Sequence, residues 1–254
     1  MRRIEFLGPP GSGKSTIHAE TVRNLQQAGT DAIDLDEAAH RAVRLEGQDW
    51  ITRSVARMTK SSRSKTWKRA YARSTDRTSA LDRFLGSNPI LMEVIHDAQR
   101  NRIDRDLEPD LVLRWVLNLM TGYQLATDIS DHIDALIMDE GYAQRAVAVF
   151  AAGFESSDTQ ALADYIDAIP TPNVLVVVET SLEECRDRLD RHGWSDRLVS
   201  IDPEARLRFL ENALEITQIV IGGFEDTRTD VIWVSGTMPP TDSASAIAAT
   251  LSPG

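Results

Sequence analysis

The chain has 254 residues, of which 42% are hydrophobic, and its formal net charge is −11. This length suits one large domain or two small ones, and the composition is ordinary for a globular protein. The longest apolar runs, Val174–Val178 and Ile219–Ile221, are too short to span a bilayer. The single cysteine, Cys185, excludes an internal disulfide and a cysteine-ligated zinc site. Because Met1–Arg3 leads directly into a predicted strand, we expect no signal peptide and a cytoplasmic location.

Five short apolar segments, separated by helical patterns, predict a parallel sheet covered by helices on both faces. They are Ile4–Leu7, Asp31–Asp36, Ala135–Met138, Asn173–Glu179 and Asp230–Val234. Helical patterns cover Ile17–Ala28, Ser79–Leu85, Pro89–Arg100, Leu111–Leu125, Ser181–His192, Pro203–Ile221 and Ser243–Leu251. The interval 38–133 contains no convincing strand. We therefore predict one domain over 1–254, with a helical insertion between the second and third strands.

A glycine-rich segment follows the first predicted strand and precedes the first predicted helix. It reads Gly8-Pro9-Pro10-Gly11-Ser12-Gly13-Lys14-Ser15, followed by Thr16, and fits the phosphate-binding pattern G-x-x-x-x-G-K-[ST]. The glycines let backbone N–H groups converge on phosphate oxygens, and the helix N-terminus adds a favourable dipole. In such a loop Lys14 reaches the β- and γ-phosphates, and the Ser15 hydroxyl ligates Mg²⁺. We predict that residues 8–16 bind ATP together with Mg²⁺.

A second motif lies at the end of the third predicted strand, where Asp139 and Glu140 follow Ala135–Met138. In a parallel sheet the carboxylate of Asp139 emerges beside the phosphate-binding loop. There it can hold Mg²⁺ directly or through water. Glu140 has two interpretations, because it can polarise a nucleophile or cap the next helix. The sequence predicts Asp139 as the acid on the magnesium side.

In the order of these motifs, the chain resembles the P-loop kinases of nucleosides, nucleotides and small metabolites. These include the thymidylate kinase-like, shikimate kinase-like and gluconate kinase-like enzymes. The resemblance follows the whole chain, apart from the size of the insertion. It implies a three-layer α/β sandwich with a five-stranded parallel sheet of order 2-3-1-4-5. It also implies that acids after the second strand, here Asp34 and Asp36, meet the acceptor substrate beside the inserted helices 38–133.

The resemblance further implies a lid, here residues 186–202, that carries arginines. Arg188 or Arg191 takes the place of the arginine that packs on adenine, and Arg197 that of the one that reaches the transferring phosphoryl group. Gly236, after the last strand, takes a place against the adenine. Independently of the resemblance, guanidinium groups suit bidentate phosphate contact because they are always charged and fork-shaped. Surface ion pairing with the neighbouring aspartates is the alternative interpretation of these arginines.

Two features leave the acceptor open. Thymidylate and deoxynucleoside kinases usually place an arginine directly after the acid of the third strand, whereas this chain has Glu140 there. Arg145, five residues later, is the candidate for contact with the acceptor. Asp36 is a candidate for accepting a hydroxyl proton from the acceptor, or else an N-cap of the helix that follows it.

The segment 53–77 is strongly basic. It contains nine basic residues and one acid, Asp76, so it carries +8 while the rest of the chain carries −19. The basic residues are Arg53, Arg57, Lys60, Arg63, Lys65, Lys68, Arg69, Arg73 and Arg77. A solvated helix face is one interpretation, and a docking surface for an anionic acceptor, with Trp50, Trp67 and Tyr71 as stacking platforms, is the other. The patch is too small and the body too acidic for a general nucleic-acid binder.

Three functions therefore remain open at the level of sequence. The first, which we favour, is transfer of the ATP γ-phosphoryl group to a nucleoside, nucleotide or other small molecule. The second is an ATP-hydrolysing switch, in which Asp139 and Glu140 activate water. The third is a kinase acting on nucleic-acid ends, supported only by the basic segment. Nothing in the sequence decides the oligomeric state.

Overall fold

The computed structural model describes residues 1–100, 108–225 and 227–251, and for Ser157 and Arg197 it describes the backbone only. Its centre is a five-stranded, entirely parallel sheet of order β2-β3-β1-β4-β5. The strands are β1 (Arg2–Leu7), β2 (Ala32–Ile33), β3 (Ala135–Met138), β4 (Val174–Glu179) and β5 (Asp230–Ser235). Ile4 of β1 is in register with Ile137 of β3 and Val174 of β4. The predicted strand order is confirmed.

Helices fill the connections between the strands. Those of the insertion are α2 (Leu35–Glu46), α3 (Trp50–Met58), α4 (Lys65–Tyr71), α5 (Thr75–Ser87), α6 (Pro89–Arg100) and α7 (Pro109–Asp128). The others are α1 (Lys14–Gln27), α8 (Tyr142–Phe150), α9 (Thr159–Ala168), α10 (Leu182–His192), α11 (Asp196–Val199), α12 (Pro203–Glu225) and α13 (Pro240–Leu251). Among the described residues, none of these helices is long and apolar enough to cross a membrane.

The two faces of the sheet carry separate cores, which makes three layers. On one face Phe6 and Val176 pack with Ile17 of α1 and Ile247 of α13. On the other face Leu136 and Leu175 belong to a larger core with the insertion and with α8, α9 and α12. Alternation along β1 explains the arrangement, because successive side chains point to opposite faces. Burial on both faces accounts for the nearly continuous apolar character of the strands.

Most of the insertion shares the larger core, and α2, α3 and α4 add a small cluster of their own around Trp67. Phe84 of α5 and Met120 of α7 lie in the same apolar cluster as Leu136 of β3. Residues 101–107, which fall within the predicted subdomain 38–133, lie outside the described residues. The helices before and after them in the chain, α6 and α7, contribute to the larger core.

The second strand is shorter than the predicted segment Asp31–Asp36. It ends at Ile33 because the Asp34 carboxylate accepts the Glu37 N–H at 2.8 Å and so begins α2. Asp34, and not Asp36, is therefore the N-cap. Asp36 lies in the first turn of the helix, where a carboxylate is favoured by the helix dipole.

Candidate active site

The phosphate-binding loop joins β1 to α1 at the carboxyl edge of the sheet. Gly11 and Gly13 have φ values of 81° and 98°, a region that side chains rarely enter. A Cβ atom at Gly11 would also lie 2.6 Å from the Cys185 carbonyl oxygen. Helix α1 begins at Lys14 with neither a side-chain cap nor an acidic residue in its first turn. Its first N–H groups are thus available to an anion.

Lys14 is folded back onto this loop. Its ammonium group donates hydrogen bonds to the carbonyl oxygens of Gly8 at 2.8 Å and Pro9 at 3.0 Å. Burial lowers the pKa of Lys14 to about 8, although the carboxylates of Asp139 and Glu140 act in the opposite direction. The Ser12 hydroxyl accepts from it at 3.4 Å, so its hydrogen-bond partners are all neutral, and a buried cation of this kind is stabilised by a nearby anion. The phosphates of a nucleotide would provide that anion.

A cavity of about 440 Å³ lies on one side of the loop. It is lined by residues of the loop and α1, by α10 and by the turn after β5: Gly11, Gly13, Lys14, Ser15, Thr16, Ile17, Arg188, Leu189, His192, Gly236, Thr237, Met238 and Pro240. We call this space the donor cavity. Of the residues predicted to bind ATP, those that line it are Gly11, Gly13, Lys14, Ser15, Thr16, Arg188 and Gly236, whereas Gly8, Pro9, Pro10 and Ser12 are not among its lining residues. The α10 residue His192 was not predicted.

Arg188 forms one wall of the donor cavity through a network of hydrogen bonds. It donates to the carbonyl oxygens of Ser12 at 3.1 Å and Gly236 at 2.9 Å, and its Nε donates to Glu184 at 2.7 Å. The guanidinium group therefore ties the phosphate-binding loop to the turn after β5. Packing against adenine would use its face, since most of its N–H groups are already bonded.

The structure describes the whole of Arg191 but only the backbone of Arg197, the two other arginines predicted to act in the lid. Arg191 is exposed, and its Nε donates to the Asp187 carbonyl oxygen at 3.0 Å. Among the described residues that line the donor cavity, Arg188 is present and Arg191 is not. The backbone of Arg197 lies in α11, but its side chain is outside the described part of the chain. Its predicted contact with the transferring phosphoryl group stays a prediction.

Asp139 and Ser15 are the candidate ligands for Mg²⁺. Asp139 Oδ1 is buried and has no hydrogen-bond partner among the described residues. An orphaned carboxylate oxygen of this kind is costly unless a cation approaches it. Ser15 lines the donor cavity. No cage of three or more His, Cys, Asp or Glu side chains occurs in the described ranges. The two residues fit Mg²⁺, because this ion is commonly held by one or two protein oxygens plus substrate phosphates.

A second cavity, of about 470 Å³, lies between the sheet edge and the insertion. Four carboxylates line it, together with aromatic, amide and basic side chains. The lining residues are His18, Asp34, Leu35, Asp36, Trp115, Asn118, Leu119, Ile137, Met138, Asp139, Glu140 and Arg145. We call this space the acceptor cavity. It brings the three predicted acceptor residues, Asp34, Asp36 and Arg145, together with both acids that follow β3.

The charges in the acceptor cavity are largely paired. Arg145 binds Glu140 at 2.6 Å, and its guanidinium carbon lies 5.3 Å from the centre of the Trp115 ring. Lys68 of the basic segment reaches Asp36 at 2.9 Å. Trp115 was not predicted as a site residue. The sequence around Trp115 in α7 contains no motif. Only the packing of α7 against α2 shows that this side chain lies at the cavity.

The basic segment contributes charge to this cavity but little aromatic surface. Trp67 is only 2% exposed, stacks on Tyr71 at 5.0 Å and contacts the His40 ring edge-on at 4.9 Å. A base cannot stack on a ring buried in this way, so the stacking interpretation is wrong for Trp67. Arg77 donates to Asn118 at 2.6 Å and thereby brings the end of the segment to the cavity. Trp50 is 70% exposed.

Glu5 is a second residue that sequence reasoning missed, because an acid in an apolar strand carries no motif. Its side chain is buried below the start of α8, where Oε2 accepts the Ala143 N–H at 2.7 Å. A Cβ atom at Gly141 would collide with the Glu5 carboxyl group. Gly141, the N-cap position of α8, provides no side-chain cap, so Glu5 serves that helix in its place. Burial raises the pKa of Glu5 to about 7, although the backbone N–H groups that it accepts act against the rise.

This raised pKa predicts how stability depends on pH. Between about pH 4.5 and pH 7 the folded chain holds a proton on Glu5 that the unfolded chain has lost. The free energy of unfolding of the wild type should therefore fall, relative to that of Glu5→Gln, as pH rises through this window. The full difference would be at most about 3 kcal/mol. Urea unfolding at several pH values measures it, with Glu225→Gln on an exposed position as the control. A pH-independent difference would contradict the prediction.

The sheet order, the phosphate-binding loop between β1 and α1, and the acid after β3 together define the P-loop class of α/β folds. No protein-family model matches the chain, and no curated protein matches it either. Among solved structures, the chain is similar to deoxyadenosine kinase from M. mycoides in three complexes. These hold the products dCMP and a flexible dCDP, bound dCTP and bound dATP.

The identities to these three structures are 13%, 13% and 12%, and the TM-scores are 0.48, 0.46 and 0.48. Each alignment covers 98% of both chains. Values this low establish neither a shared substrate nor shared roles for individual residues. Those roles have to be derived from the geometry of the two cavities.

Proposed function

We propose that this protein is an ATP- and Mg²⁺-dependent phosphotransferase that moves the γ-phosphoryl group to a hydroxyl-bearing small molecule. One observation carries the proposal: the phosphate-binding loop and α1 line one cavity, and a separate cavity is lined by four carboxylates and by His18 of α1. The donor cavity suits a nucleoside triphosphate, and the acceptor cavity suits a second substrate. An ATPase that only hydrolyses needs no second cavity of about 470 Å³. A cytoplasmic location, where ATP is plentiful, fits this reaction.

The loop and its lysine have the task of holding the donor. Backbone N–H groups of residues 8–16 would bind the phosphates, and Lys14 would leave its carbonyl partners to contact the β- and γ-phosphates. A bound Mg²⁺ would supply positive charge against the negative charge that develops during transfer. Ser15 and Asp139 would hold it. Arg188 would support the adenine side through its contacts with Ser12 and Gly236.

A carboxylate of the acceptor cavity would take the proton of the attacking hydroxyl group. As the acceptor oxygen bonds to the γ-phosphorus, the bond from that phosphorus to ADP breaks and the proton passes to the carboxylate. Asp36 and Glu140 are the two candidates. Both already form an ion pair, Asp36 with Lys68 at 2.9 Å and Glu140 with Arg145 at 2.6 Å. Arg197 would close over the transferring group.

The charges also indicate the acceptor class. Four carboxylates line the acceptor cavity: Asp34, Asp36, Asp139 and Glu140. Apart from His18, the basic residue among its described lining residues is Arg145. Because Arg145 is paired with Glu140 and Lys68 with Asp36, a phosphate on the acceptor would face the carboxylates of Asp34 and Asp139. We infer that the acceptor is uncharged and carries hydroxyl groups, with a planar part able to contact Trp115.

Transfer of labelled γ-phosphate from ATP tests the proposal. The wild type and Lys14→Ala should be compared with nucleosides, sugars, their phosphorylated forms and oligonucleotides. We expect a labelled product with one uncharged acceptor class, little with its phosphorylated form, and none with the variant. Release of inorganic phosphate that no acceptor changes would instead indicate an ATPase. Labelling of oligonucleotide ends, weakened by salt, would indicate a kinase for nucleic-acid ends.

A further inference from the structure

The first turn of α8 contacts three separate parts of the site through three consecutive residues. The Ala143 N–H donates to Glu5 of β1 at 2.7 Å. Gln144 accepts the Gly8 N–H at 3.1 Å through its side-chain oxygen. Arg145 binds Glu140 at 2.6 Å. One rigid helical turn thus holds the central strand, the phosphate-binding loop and the acids after β3.

The contact made by Gln144 is the one that bears on the donor. Gly8 is the first residue of the phosphate-binding loop, and its carbonyl oxygen accepts the Lys14 ammonium group at 2.8 Å. Its N–H is buried, and the Gln144 side chain is 8% exposed. Without an acceptor this N–H would be an unpaired buried donor, and such a group moves toward another partner when it can. Movement of Gly8 would carry the lysine and the loop with it.

The acids share the same anchor. Asp139 and Glu140 directly precede α8, whose start is held by Glu5 through the Ala143 N–H. The distance between the loop that holds the donor and the acids that face the acceptor is therefore set across α8. In-line transfer is sensitive to such a distance, since a displacement of about 1 Å can cost about a hundredfold in rate.

We propose that Gln144 is a positioning residue, which holds the phosphate-binding loop in register with Asp139 and Glu140 through the Gly8 N–H. This rests on the proposed phosphotransferase function. Gln144 need not touch either substrate. Its amide oxygen acts through the backbone of Gly8, and the helix that carries it acts through the turn 139–141. The role differs from that of Arg145, which faces the acceptor cavity.

Two variants separate this role from simple packing. Gln144→Met keeps the approximate volume and removes the acceptor oxygen, whereas Gln144→Glu keeps an acceptor oxygen. Gln99→Met is the matched control, because the Gln99 amide donates to the Val149 carbonyl oxygen at 3.2 Å, near the other end of α8. We expect kcat to fall about tenfold to a hundredfold in Gln144→Met, with the KM for the acceptor within about twofold of wild type. Gln144→Glu should recover most of kcat, and Gln99→Met should keep it.

Amide exchange at Gly8, followed by NMR, tests the contact independently of any reaction. Protection of this amide should be lost in Gln144→Met and kept in Gln144→Glu and Gln99→Met. Wild-type kcat in Gln144→Met would overturn the positioning role, as would unchanged protection of Gly8. If the wild type transfers phosphate to no acceptor, the proposed function fails. In that case the loop role is decided by exchange together with ATP affinity measured by calorimetry. Unchanged ATP affinity in Gln144→Met would then overturn it.

Discussion

Replacement of Lys14 by methionine is expected to lower kcat/KM for ATP by about a thousandfold, equivalent to about 4 kcal/mol of transition-state stabilisation. The reason lies in where this ammonium group sits. It is buried, its hydrogen-bond partners are the neutral oxygens of Gly8, Pro9 and Ser12, and it is close enough to Asp139 and Glu140 to be affected by their charge. Phosphoryl transfer depends on charge stabilisation more than on covalent help from the protein. Steady-state kinetics measures the loss, with Lys65→Met, an exposed lysine at the start of α4, as the control.

The lowered pKa of Lys14 adds a binding experiment that does not depend on turnover. With a pKa of about 8, roughly half of the Lys14 side chains are uncharged at pH 8 in the free protein. A triphosphate favours the charged form, so ATP binding at pH 8 should take up about half a proton. The affinity for ATP should therefore weaken as pH rises through 8. Calorimetry in buffers of different ionisation enthalpy measures the uptake, and Lys14→Met should lack it. Equal uptake in both proteins would refute the assignment.

The second large effect is expected at Asp139. Asp139→Asn should lower kcat by about a hundredfold to a thousandfold and raise the Mg²⁺ concentration needed for half-maximal activity. The variant removes the charge while keeping the size of the side chain. In the wild type the buried Oδ1 atom has no partner among the described residues, so it is free to meet a cation. Titration of activity with Mg²⁺ at saturating ATP measures the shift.

Asp134→Asn is the matched control for Asp139→Asn. Asp134 directly precedes β3, at the opposite end of the strand from Asp139, and accepts the Asp31 N–H at 2.8 Å. Asparagine can make the same contact, so this variant should keep both kcat and the Mg²⁺ requirement. A normal Mg²⁺ requirement in Asp139→Asn would remove Asp139 from the metal site. Equal losses in both variants would point to damage to β3 in place of a role in metal binding.

The donor half of the site follows closely from local sequence. The run from Gly8 to Thr16 needs little beyond its own backbone to form a phosphate cradle, because the glycines adopt their conformations locally and α1 begins within the motif. The parallel sheet was also predicted, from short apolar runs that alternate with helices, and its strand order was predicted from the resemblance to P-loop kinases. The end of β2 was not predicted correctly, because the choice of Asp34 over Asp36 as N-cap depends on which carboxylate reaches the Glu37 N–H.

The acceptor half depends on contacts between residues far apart in the chain. Trp115 meets Arg145 only because α7 packs against α8, and Lys68 meets Asp36 across 32 positions. The basic segment illustrates the same point. Trp67 lies among the basic residues in the sequence and was a candidate stacking platform, but its side chain is buried in the core. Sequence pattern reports the period of an element, whereas burial and pairing of a side chain are decided by what packs against it.

The sequence by itself determined the class of fold, through the order of its apolar runs and helical patterns. It also determined the phosphate-binding loop and the acid after the third strand, because each of these motifs is encoded within a few consecutive residues. Only the tertiary structure decided which charges neutralise one another in the acceptor cavity. It also decided that Gln144 accepts the Gly8 N–H and that Glu5 accepts the Ala143 N–H at the start of α8. These are buried polar contacts between different elements. Their partners are chosen by the low-dielectric interior, where an unpaired donor or charge is too costly to keep, and no local motif records that choice.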